Sequence, residues 1–156
     1  MNTGHHIARA GGIVWFLASL LGVSADTNGV YFLFAAQAET IKESFVLELT
    51  QPEDIEYARE RIRSGVTDYL AALVNIADGP DGINRDYLTP GAPQWSWHIT
   101  GFRGFSEVVP ANQTANPSEI EADVPGWIAM LQGRAAFFYD PVLELLPPPS
   151  IMLSLT

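Results

Sequence analysis

The run Trp95-Ser96-Trp97-His98-Ile99-Thr100 constrains this chain more than any other segment, because large apolar and small polar side chains alternate in it with a period of two. In a strand, Trp95, Trp97 and Ile99 leave one face while Ser96, His98 and Thr100 leave the other. A strand of this kind buries its apolar side and keeps its polar side free. Two indoles on one side call for a thick apolar layer against them, and His98 stands where a side chain can bond or react.

The remaining elements follow from pattern and punctuation. Val30 to Ala36 and Ser44 to Thr50 are strand-like runs that can pair as a hairpin. Thr50-Gln51-Pro52-Glu53 resembles a capping box with proline in the first turn, and Ile55, Ala58 and Ile62 then fall on one helical stripe. Glu56, Glu60, Arg61 and Arg63 lie off that stripe, and Gly65 is placed to end the helix. Thr67 to Ala77 is a long apolar run that fits strand or helix, and strand is the favoured reading. Asp78 to Gln94, with three prolines and three glycines, reads as an irregular loop.

Trp95 to Thr100 and Phe102 to Val109 are expected as neighbouring strands hinged at Gly101. Asn116-Pro117-Ser118-Glu119 opens a second helix carrying Ile120, Val124, Trp127, Ile128 and Leu131 on one side, with a kink or a split expected at Pro125-Gly126. Ala135 to Leu146 is expected as a strand interrupted at Pro141, which suits an edge or a bulge. Strands and helices do not alternate strictly. The expected fold is therefore α+β, a mostly antiparallel sheet of about six strands with two helices packed on it.

Residues 1–25 are set apart from that domain. A weakly basic start ending at Arg9, an apolar stretch from Gly11 to Gly22, and the small residues Val23-Ser24-Ala25 predict a secretory signal cleaved before Asp26. The stretch is short for a membrane span. The single domain is expected over residues 26–146. Residues 147–156, Pro147-Pro148-Pro149-Ser150 followed by an apolar run, read as a tail that is either frayed or the truncated start of a bacterial sorting tail.

Cleavage would remove one of the eight basic residues and none of the 18 acidic ones, moving the net charge from −10 to −11. Such a surface repels phosphate backbones, which excludes nucleic acid as a partner. An exported chain without cysteine has no disulfide to brace it, so packing, or a bound ion, must suffice.

Three constellations are candidates for chemistry. A lone histidine titrates near neutrality, so His98 is a candidate general base, with Glu107 as the carboxylate that would orient it. Pairing with Ser96 is geometrically poor, because residues two apart on a strand project nearly parallel side chains roughly 6.5 Å apart. Trp95 and Trp97, with His98, are candidates for holding a ligand if their face is open, against the plainer reading of core packing. Asp78, Asp81, Asn84 and Asp86 crowd into a glycine-rich turn and are candidate calcium ligands. Their spacing is not that of an EF-hand, and Asp and Asn also favour turns for their own backbone bonding.

Several of these segments together resemble a secreted domain family named for the N-terminal domain of the slime-mould protein BP-seventy-four. They are Phe45-Val46-Leu47-Glu48-Leu49-Thr50 with Pro52 and the helix to Gly65, Gly79 through Asn84, Trp95-Ser96-Trp97-His98, and Ser118-Glu119-Ile120-Glu121. The resemblance implies export and a compact domain, and it carries no catalytic residues over. It also implies a cysteine near the end of the strand after the tryptophans and another near the start of the last strand. Here those regions read Glu107-Val108-Val109-Pro110 and Phe137-Phe138-Tyr139-Asp140, as the loss of one disulfide would leave them.

The chain is thus expected to be secreted or periplasmic, with no stable span in the mature domain. The expected function is non-enzymatic binding of an unknown extracellular protein or small ligand. The alternatives are a calcium-binding extracellular domain and a small hydrolase using His98 with a carboxylate.

Overall fold

Phe32 and Phe34 leave one face of β1 (Val30–Ala35) opposite Leu47 and Phe45 of β2 (Ser44–Leu49), so the hairpin presents an aromatic surface on that side. In the computed structural model, which describes residues 29–36, 42–67 and 70–145, this hairpin is antiparallel and in continuous register. The expected signal segment and the C-terminal tail lie outside the described residues.

Helix α1 (Pro52–Ser64) follows at once. Its cap is Gln51 and no side chain bonds there, so the expected box at Thr50 does not form. Proline in the first turn removes one orphan donor, and Glu53 and Asp54 oppose the positive end of the helix dipole. Gly65 ends it in the left-handed region, φ 62°, donating its N–H to the Arg61 carbonyl. Arg61, expected on the solvent side, is buried. Its guanidinium meets Asp140 at 3.0 Å, and a fixed carboxylate overrides the helical stripe.

The second sheet centres on β3 (Ala71–Asp78), flanked by β4 (Trp97–Ser106) and β5 (Arg134–Phe137). The two strands expected around Gly101 are one. Register shifts beside Leu73/Val74 and Asn75/Ile76 absorb extra residues of β4, so pairing continues through bulges where a hinge was expected.

The second helical stretch is split into α2 (Pro117–Ala122) and α3 (Val124–Leu131). The break falls at Asp123, two residues before the expected kink or split. Proline is tolerated only in a first turn, so the helix restarts just upstream of Pro125, and the Asp123 carboxylate accepts the Gly126 N–H at 3.0 Å as the new cap.

The run expected as one final strand turns a corner at Phe138-Tyr139. Its first part is β5, while β6 (Asp140–Leu145) pairs with β1 in the other sheet. Pro141 does sit on an outer strand beside a register shift, as its ring requires.

The six strands are therefore all antiparallel in their pairings but are shared between two sheets, ordered β2-β1-β6 and β4-β3-β5. Aromatic rings join the two across the core, Phe34 with Phe105 at 6.3 Å and Phe45 with Phe137 at 4.5 Å, and Trp97 stacks on Phe137 within the second sheet at 5.8 Å. Helix α1 packs along β6 through Arg59–Glu144 and Arg61–Asp140, and α2 and α3 add Ile120, Val124, Trp127 and Ile128 to the same core. Among the described residues no helix is long and apolar enough to cross a membrane.

The chain after β4 runs past the end of β3, because Thr114 bridges Ala136 on the outer side of β5. That crossing carries Glu107 to Pro110 from one edge of the sheet toward the other, where Phe137 to Asp140 lie.

Candidate functional site

Strands β2 and β4 are the outer strands of different sheets, and the contacts Ser44 to Trp95 and Val46 through Asn84 to Trp97 advance along both together, so the two run in the same direction where they meet. At their start the Trp95 Nε1–H donates to the Ser44 carbonyl at 3.1 Å. At their far end Tyr57, from the helix that follows β2, packs on Phe105 near the end of β4 at 4.5 Å. Between these points the edges are joined by one side chain. The Asn84 Oδ1 accepts the Val46 N–H at 3.2 Å and its Nδ2 donates to the Trp97 carbonyl at 3.3 Å. Asn84 is 1% exposed, and its amide sits where a peptide unit of an intervening strand would.

Beyond that amide the edges enclose an open cleft of about 640 Å³. Its walls are Val46 and Glu48 of β2 with Tyr31 beside them, and β4 from His98 to Gly104. Asp81 and Ile83 of the long loop close one end, and Thr50, Gln51 and Asp54 the other.

The backbone groups on these walls follow from alternation. In an antiparallel ladder every second residue turns its N–H and C=O away from its partner strand. The Val46 N–H points outward to Asn84, so the Glu48 N–H and C=O point outward too. The Trp97 carbonyl points outward, so the Ile99 groups do as well. Among the described residues none of these Glu48 and Ile99 groups has a hydrogen-bonding partner. Two half-ladders thus face one another across the cleft.

The lining is acidic, with Glu48, Asp54 and Asp81 against the guanidinium of Arg103. The Tyr31 phenol titrates above its ordinary value, first through burial and then through the neighbouring Glu48 and Asp81 carboxylates. Asp54 is also raised, by burial and then by Glu53. Burial, then Arg134, lowers Arg103, whose Nε–H donates to the Val74 carbonyl at 3.4 Å.

His98 lines this cleft and is half-buried. Its Nδ1 lies 2.6 Å from the Gly79 carbonyl oxygen. A carbonyl only accepts, so Nδ1 carries a proton and is the donor in this bond. No bond joins His98 to Ser96, whose backbone N–H donates to Glu121 at 2.8 Å. Glu107 is not brought to the histidine. It follows the other end of β4, nine residues on and roughly 25–30 Å away at strand rise.

Neither tryptophan lines the cleft. Trp97 is fully buried, Trp95 is half-buried, and their rings stack at 6.3 Å.

The acidic loop residues face inward or cap their own turns. The Asp78 carboxylate accepts from the Gly79 N–H at 2.9 Å, and Asp81 accepts from Ile83 and Asn84 at 2.9 and 2.7 Å. The Asp86 carboxylate accepts from the Ser44 hydroxyl at 2.9 Å and the Leu88 N–H at 3.0 Å, and that hydroxyl accepts the Tyr87 N–H. Of the four expected calcium ligands, Asn84 and Asp86 therefore pin the loop to β2, while Asp78 and Asp81 cap turns within it. Among the described residues no group of three or more His, Cys, Asp or Glu side chains is arranged to hold a metal ion.

Tyr31, Glu48, Asp54 and Arg103 went unmarked in the sequence reading. Glu48 carried a signal, being the single charge in the otherwise apolar Phe45-Val46-Leu47-Glu48-Leu49; the others lie among residues that read equally as surface.

A family model described as the N-terminal domain of BP-seventy-four matches residues 28–139. No curated protein and no solved structure matches the chain. The matched span holds both walls of the cleft and stops one residue before β6.

Proposed function

The chain belongs to the BP-seventy-four N-terminal domain family, and on that premise we propose that it is a secreted or periplasmic, non-enzymatic binding domain whose ligand sits between β2 and β4. The observation that carries the reading is the pair of unpartnered strand edges at Glu48 and Ile99, facing each other across a preformed cleft. Open backbone groups at a concave site are what a ligand can satisfy. Export rests on the character of residues 1–25.

The place of His98 in the same cleft favours a second reading, a small hydrolase. It lacks support in the ring's surroundings: Nδ1 is held by a backbone carbonyl and, among the described residues, no carboxylate or hydroxyl is hydrogen-bonded to the imidazole. A general base needs such an orienting group and a nucleophile within reach.

The reading is tested by nuclear magnetic resonance with a fragment library. Amide shifts are expected to cluster at Tyr31, Glu48, Ile99 and Thr100, with no library ester or amide turned over. Shifts confined to other surfaces would remove the cleft. Turnover abolished by His98→Ala would move the function to the hydrolase.

A further inference from the structure

We propose that the natural occupant of the cleft is an extended peptide bearing lysine or arginine, which adds as a strand between β2 and β4. The inference rests on the binding reading above and names the ligand class of that same site. Three observations point to a strand. The Asn84 amide already bridges the two edges as one peptide unit would, accepting from Val46 and donating to Trp97. Immediately beyond it, the outward groups of Glu48 and Ile99 continue the same two ladders without partners among the described residues. Because β2 and β4 run the same way, a strand antiparallel to one is antiparallel to both, so a single segment can pair with each wall in the more favourable geometry.

Length and charge define the segment further. The cleft follows β4 from His98 to Gly104, room for about five residues at ~3.3 Å each. An inserted strand would alternate, with one set of side chains toward Ile83, Ile99 and Phe102 and the other toward Glu48, Asp54 and Asp81. Small apolar residues alternating with basic ones satisfy both sides. Acidic peptides meet three carboxylates and only Arg103 in return.

The test uses fluorescence anisotropy with three labelled probes of about five residues: alternating lysine and valine, the same sequence with alternate amides N-methylated, and alternating glutamate and valine. The lysine probe should bind and shift the amides of Glu48 and Ile99. N-methylation should weaken it about tenfold or more, the loss of one or two net backbone hydrogen bonds. The glutamate probe should not bind, and Glu48→Lys should weaken the lysine probe while leaving the fold intact.

Equal binding of the N-methylated probe would overturn strand addition in favour of charge attraction alone. Fragments that occupy the cleft while no peptide does would overturn the peptide class and leave the binding reading standing. Neither fragments nor peptides at the cleft would overturn both. The N-methylated probe tests the pairing without altering the protein, so a poorly folding variant does not decide the outcome.

Discussion

Arg61 reaches from α1 to Asp140, the first residue of β6, and the two side chains meet at 3.0 Å while only 5% and 16% exposed. Removing one partner of such a pair strands the other charge away from water. Arg61→Ala is expected to cost about 3–5 kcal/mol in urea unfolding. Replacing both, as Arg61→Met with Asp140→Leu, is expected to recover most of that loss, since the apolar pair brings no desolvation penalty. Equal losses for the single and double variants would show that the pair sets the packing of α1 on β6.

Asn84 separates two roles for its loop. Asn84→Asp keeps the acceptor for Val46 but sets a carboxylate oxygen against the Trp97 carbonyl, so Tm is expected to fall, with a loss of about 2–4 kcal/mol. Had the loop been built for calcium, the added charge would strengthen the site. Calorimetry after chelation, and again in millimolar calcium, is expected to give one Tm for the native protein and one lower Tm for the variant. A calcium-dependent rise that grows in the variant would restore the metal reading.

Tyr139 predicts the alkaline limit. Burial, then the carboxylates of Glu43, Glu119 and Asp86, hold its phenol far above the ordinary 10.0, and its hydroxyl donates to the Asn116 side chain at 3.3 Å. The native state therefore keeps a proton that the unfolded chain releases. The stability it contributes is complete below about pH 10 and is lost as pH rises beyond that. Tyr139→Phe is expected to lose about 1 kcal/mol at neutral pH and to show a shallower decline above pH 10 in pH-dependent unfolding. On the acid side, Glu144 is held below its usual range by its bond to Arg59, so its contribution disappears as pH falls. With those side chains 23% and 39% exposed, Glu144→Gln should cost under ~1 kcal/mol.

Mass measurement of the exported protein is expected to place Asp26 first. Material that keeps Met1 through Ala25 outside the cytoplasm would remove the signal from this account and restore the charge of −10.

The strands were legible wherever local pattern and burial agree. The apolar runs at Val30 and Ser44, and the αL stop at Gly65, appear close to where the sequence placed them, while the strand expected from Thr67 begins at Ala71. What the sequence hid was long-range. Nothing local says that Phe137 and Asp140, three residues apart, belong to different sheets, since both halves read as strand and only their partners differ. Arg61 looked like surface because the charge that buries it comes from the far end of the domain. The cleft was half legible. His98 announced itself by its period of two, whereas Glu48 and Ile99 matter through backbone groups whose freedom depends on strand order, which side-chain type does not encode.

Strand β1 lies in the middle of its sheet, and its second edge is closed by Asp140–Leu145, at the far end of the described chain. A ribosome or a translocation channel delivers this domain with its first hairpin made and the aromatic face of Phe32, Phe34 and Phe45 still uncovered. Until the last strand arrives, Arg61 has no Asp140 to meet and β1 offers an open edge to any neighbour. The order of strands along the chain therefore leaves that edge open after β4 and β5 have covered the aromatic face, until the last six residues of the described chain are in place.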